Sequence, residues 1–149
     1  MKQLLGLLFG LVFAATAPAL NIDSLMNVWN DSSQHDTIRL TAMYHVIWNE
    51  YLFNNPDTAY TLSKEALEYS KKKGYQKQTA NFLNIEASYY YLNSNYTKAI
   101  LTYKESYKTK NSIADLTGMG NTLNNIGICF QHIGDTDSAI VYFKKSIEV

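Results

Sequence analysis

Residues 120–149 read GNTLNNIGICFQHIGDTDSAIVYFKKSIEV, and residues 80–109 read ANFLNIEASYYYLNSNYTKAILTYKESYKT. Laid over one another at an offset of 40, they agree at Asn81/Asn121, Leu83/Leu123, Asn84/Asn124, Ala99/Ala139, Ile100/Ile140, Lys104/Lys144 and Ser106/Ser146. Those seven identities exceed the roughly one or two expected by chance. Tyr90/Phe130, Asn95/Asp135 and Tyr103/Phe143 keep size and character. Ala59 extends the alanine spacing one unit further back, in a stretch that keeps Lys64 and Ala66 but has Ser63 where the later units carry an aromatic. Self-similarity at a fixed period is the mark of a repeat architecture.

Inside each unit the apolar residues recur three and four apart, the period of a helix and not of a strand. Punctuation cuts the chain accordingly. Asn55-Pro56 places a cap and a first-turn proline, Gly74 follows the basic run Lys71–Lys73, and Ser94-Asn95 and Gly134-Asp135 break the later units. Ser112 with Asp115 resembles a capping box that opens another helix. These signals predict an all-α chain with helices over about 36–53, 56–73, 76–93, 96–110, 112–133 and 136–149. The units run 36–74, 75–111 and 112–149, behind a capping segment at 20–34 whose Ile22, Leu25, Met26 and Trp29 suit a short helix. Two antiparallel helices need small residues where their axes approach, and Ala59, Ala87, Ala99, Gly127 and Ala139 are placed to meet that need.

At those offsets the chain resembles the tetratricopeptide repeat. Leu123, Ile126-Gly127, Phe130, Gly134-Asp135, Ala139, Phe143 and Ser146 match its signature in the last unit. Leu83, Ala87, Tyr90, Asn95-Tyr96, Ala99, Tyr103 and Ser106 match it in the unit before, with Glu86 departing where an aliphatic is usual. The spacing of 40 is longer than the usual 34 and is similar to the long repeats of bacterial signalling and regulatory proteins. The resemblance implies a right-handed superhelical solenoid of antiparallel helix pairs that binds a protein or peptide in its concave groove.

The stripe at i, i+3, i+7, i+10 on the first helix of each pair is the candidate groove. It carries Thr41, Tyr44, Trp48 and Tyr51, then Asn81, Asn84, Ser88 and Tyr91, then Asn121, Asn124, Ile128 and Gln131, with Asn125 alongside. Amides can donate to and accept from a peptide backbone, and the aromatics supply apolar area with polar tips. Grooves of this family that grip a terminal carboxylate use Lys or Arg on this stripe, and none stands here.

The remaining chemistry is sparse. Thirteen basic and 13 acidic residues cancel, which gives no electrostatic reason to bind nucleic acid. One cysteine makes no internal disulfide. His35, His45 and His132 fall in different units, and Glu86 and Glu105 read as carboxylates without partners. Cys129 and His132 stand three apart, but a small buried thiol beside a helix-end histidine is the expected reading rather than half a metal site. No catalytic residue, metal or cofactor is therefore expected, no small-molecule substrate is evident, and the chain is read as non-enzymatic.

The start of the chain has its own signature. Lys2 precedes 12 apolar residues, Leu4–Ala15, and then Ala17-Pro18-Ala19. That pattern predicts a signal peptide over 1–19, cut before Leu20, and an exported protein, because the core falls short of the ~20 residues a membrane span needs. At the other end, Ile140, Phe143, Ile147 and Val149 leave the last helix uncapped. The array is expected to continue beyond that helix or to associate with another copy. A second reading follows: the extracytoplasmic sensor region of a longer signalling protein, such as a histidine kinase, nucleotide cyclase or DNA-binding regulator.

Overall fold

The computed structural model of the chain describes residues 21–149. The leader read at 1–19 and the mature start at Leu20 lie outside the described residues. Seven α-helices follow one another among them: α1 (Ile22–Asn30), α2 (Asp36–Val46), α3 (Pro56–Lys73), α4 (Gln76–Leu92), α5 (Tyr96–Ser112), α6 (Leu116–His132) and α7 (Thr136–Glu148). From α3 onward each helix packs chiefly on its neighbours in sequence, and α1 lies on α2. The hairpins α2/α3, α4/α5 and α6/α7 therefore stack in order.

Local chemistry sets the ends. Asn21, Asn55, Asn95, Asp115 and Asp135 each turn a side-chain oxygen onto a backbone N–H of the helix they precede. The turns after α3 to α6 each contain a residue of left-handed backbone: Gly74 at φ 74°, Ser94 at 58°, Ala114 at 54° and Gly134 at 82°. Glycine adopts that conformation freely, whereas a side chain makes it costly.

Two boundaries differ from the sequence reading. Ser112 does not open α6; it ends α5, with its hydroxyl donating to Thr109 O, and Asp115 alone caps α6 by accepting from Gly118 N. The reversal occupies the intervening residues. The helix expected over 36–53 also changes character. After Val46 it widens into a π-helical turn, Ile47–Tyr51, closed by Leu52 N donating to Ile47 O at 2.9 Å.

The interior holds two apolar clusters. Leu40, Val46, Ile47, Leu52, Phe82 and Ile85 fill the first, against which α1 lays Leu25, Met26 and Trp29. Ala87, Ala99, Ile100, Tyr103, Ile126 and Cys129 fill the second. Ala59, Ala87 and Ala99 are 0% exposed and Ala139 3%. Gly127 is buried too, and a Cβ on it would stand 2.6 Å from the Phe143 ring. Burial of these small residues is what lets the larger ones meet around them.

Candidate functional site

The first helices α2, α4 and α6 run side by side, and a groove of about 440 Å³ crosses them. Tyr44 and Trp48 form one wall, and Asn81, Asn84, Asn121, Asn124 and Asn125 supply amides along the rest. The π-helical turn carries Trp48, whose ring stacks on Tyr44 at 6.1 Å and 25°. Phe82 meets the Tyr44 ring edge-on at 6.3 Å, and Phe53 meets Trp48 in the same manner at 6.2 Å. Burial pushes the Tyr44 phenol above its ordinary pKa, so it remains a neutral donor and acceptor. A π turn within a helix is frequent at functional sites, and here it sets the aromatic wall.

The rest of the expected stripe divides. Tyr91 and Ile128, with Asn125 and Tyr103, line a smaller hollow of about 90 Å³ that shares Asn125 with the groove. Four residues do not reach either space. Ser88 is buried, its hydroxyl 2.9 Å from both Tyr103 Oη and Asn84 O. Tyr51 packs on the first apolar cluster, turned aside by the widened helix. Gln131 is exposed in the last turn of α6. Thr41 lines a separate hollow with Ile38, His45 and Gln78 near α1.

The repeated pair Asn84 and Asn124 is not equivalent in space. Asn84 is 8% exposed, and its Oδ1 lies 3.2 Å from Ser106 Oγ and 3.3 Å from Thr122 Oγ1. Its carbonyl end therefore serves the joint between α4, α5 and α6. Asn124 is exposed. Asn81 is half-buried and Asn121 exposed, so these amides are reachable from the groove.

Sequence reasoning missed the groove's floor. Lys110, from the end of α5, is 4% exposed and donates to Thr122 Oγ1 at 2.9 Å and Gly118 O at 3.3 Å. Burial lowers its pKa to about 8, with the Asp115 carboxylate opposing. Asp115, Thr117 and Gly118 line the same floor. Lys110 lies on a second helix, off the stripe, so no periodicity argument could place it there. A cation is thus present after all, although it is tethered to two neutral oxygens and faces an aspartate.

The other singled-out residues find ordinary roles. Cys129 is 0% exposed, and burial pushes its thiol up to about 11. His132 sits at the end of α6, its Nε2 2.9 Å from Tyr91 Oη and its ring stacked on Tyr96. Glu105 is not alone as expected: Lys71 of α3 reaches it at 3.0 Å. Glu86 accepts from Tyr90 Oη at 2.9 Å. Lys71 comes from packing that a linear reading does not contain, whereas Tyr90 is the i+4 neighbour of Glu86 on α4. Among the described residues no group of three His, Cys, Asp and Glu converges, and no helix is long and apolar enough to cross a membrane.

No family model matches the sequence, and no curated protein matches it. Among solved structures the chain is similar to the crystal structure of the TPR domain of Arabidopsis FLU, with a TM-score of 0.67. The superposition covers 76% of this chain and 96% of that one, at 17% sequence identity. The chain folds as a tetratricopeptide-like solenoid. At that identity the likeness concerns the fold of the backbone, and the tetratricopeptide-like framework leaves the groove's residues to speak for themselves.

Proposed function

We propose that this tetratricopeptide-like scaffold is a non-catalytic interaction module, exported on the leader read at its N-terminus, that holds an extended segment of another protein across α2, α4 and α6. The observation that carries the reading is the convergence of accessible amides from Asn81, Asn121, Asn124 and Asn125 beside the stacked Tyr44 and Trp48. Amides that both donate and accept suit a peptide backbone, whose N–H and C=O groups alternate. The aromatic wall offers an apolar seat for one large side chain. Lys110 and Asp115 offset one another, so the groove favours recognition of the backbone over selection of a strongly charged segment.

The test is selection of peptides from a random displayed library against the protein, followed by affinity measurement on Asn81→Ala/Asn125→Ala. Two lost hydrogen bonds should weaken binding by about tenfold or more, with helicity unchanged. Peptides that bind the double variant as tightly as the natural protein would refute the groove.

A further inference from the structure

The forty-residue offset that relates the units also relates two faces of the molecule, one covered and one open. In the middle hairpin Asn84, Ile100, Tyr103 and Ser106 are 8%, 7%, 3% and 0% exposed. The cover is α6, which brings Thr122 to Asn84 and packs Ile126 and Cys129 into the cluster of Ile100 and Tyr103. Their counterparts on the last hairpin are Asn124, Ile140, Phe143 and Ser146. Ile140 is 46% exposed, Asn124 is exposed, and Phe143 and Ser146 are only half-buried.

A depression of about 350 Å³ between Leu116, Gly120, Asn124, Ser146 and Val149 marks the same place in the unit. The two serines also differ in bonding within their own hairpins. Ser106 Oγ donates across its hairpin to Ala80 O at 2.8 Å and stands beside the Asn84 amide that Thr122 approaches. Ser146 Oγ turns back to its own helix, donating to Phe143 O at 2.7 Å.

We propose that this open face of α6 and α7 seats the first helix of a further hairpin of the same repeat. The occupant presents a hydroxyl side chain where α6 has Thr122 and apolar side chains where it has Ile126 and Cys129. A second copy of this chain does not supply such a helix. In a copy α6 turns its matching face to α4 and α5, α4 contributes to the cluster it shares with α2 and α3, and α2 is covered by α1. Stacking a hairpin on this face would bury Ile140 and give Asn124 the hydroxyl neighbour that Asn84 has in Thr122. The inference stands on the internal comparison alone and does not depend on what the groove binds.

The test extends the chain after Val149 with a second copy of residues 110–149, which keeps the register because Val149 corresponds to Thr109. The extended protein should gain helix in proportion to its length and melt about 5 °C or more above the natural chain. Ile140→Asp should leave the melting temperature of the natural chain within about 2 °C and cancel the gain in the extended one. An added segment without helix, or an Ile140→Asp effect equal in both proteins, would overturn the proposal. So would sedimentation showing the natural chain as a dimer that Ile140→Asp splits, since the occupant would then be a second copy.

Discussion

Lys110 makes the stability of this protein depend on mildly alkaline pH in an unusual direction. Its ammonium group is buried against two neutral oxygens, and burial brings its pKa from 10.5 to about 8. Between about pH 8 and 10.5 the unfolded chain holds a proton that the folded protein has released, so stability rises with pH in that window. Below about pH 8 both states are protonated and this dependence disappears. One pKa unit corresponds to about 1.4 kcal/mol. Because the folded amine is part-way through its titration, the gain from about pH 8 to about pH 9 is roughly 1 kcal/mol. Cys129 acts oppositely: its folded pKa is raised to about 11, so the unfolded thiol ionises first and stability falls above about pH 9. Burial raises Tyr103 in the same sense, at higher pH. The comparison is therefore made against Lys110→Met, in which those opposing terms remain and cancel in the difference. Thr122 still donates to Gly118 O at 2.8 Å in that variant, so the joint keeps a hydrogen bond. Urea unfolding followed by circular dichroism across about pH 7.5 to 9 should show the stability of natural protein relative to Lys110→Met rising by about 1 kcal/mol. A difference that stays constant across the window would refute the buried-amine reasoning.

Other outcomes follow from the packing. Ala139 is 3% exposed at the α6/α7 approach, and Ala139→Leu should cost about 1 to 3 kcal/mol by overpacking; an unchanged thermal midpoint would remove that residue from the contact. Ala114 holds a left-handed backbone at φ 54°, so Ala114→Gly should stabilise by about 1 kcal/mol, read as a higher midpoint in a thermal melt. Asn84→Ala should cost about 1 to 3 kcal/mol, since it removes a buried amide packed against the Ser106 and Thr122 hydroxyls and leaves a hole in the joint. Asn124→Ala, its counterpart in the exposed position, should stay within about 0.5 kcal/mol, and equal losses in chemical denaturation would contradict the assignment of Asn84 to the joint.

The helical class and the tetratricopeptide-like stack were legible because they rest on local signals: period, caps and small residues at fixed offsets. The turn at Ala114 escaped notice because alanine announces no left-handed backbone, while Gly74 and Gly134 do. The π-helical turn was equally silent, as Ile47–Tyr51 reads like ordinary helix, yet it decides that Trp48 joins the groove and Tyr51 does not. The amide stripe was readable from spacing on α4 and α6. What spacing could not supply was depth. Asn84 and Ser88 are drawn into the joint by Ser106, Thr122 and Tyr103, residues on other helices, and Lys110 enters the floor from a helix outside the stripe.

The groove is tested most directly by following the side-chain amide resonances of the protein by NMR as a library-selected peptide is added. Saturable shifts at Asn81, Asn121, Asn124 and Asn125, together with the Trp48 indole, are the predicted result. Shifts confined to α3, α5 and α7, with those amides unmoved, would contradict it.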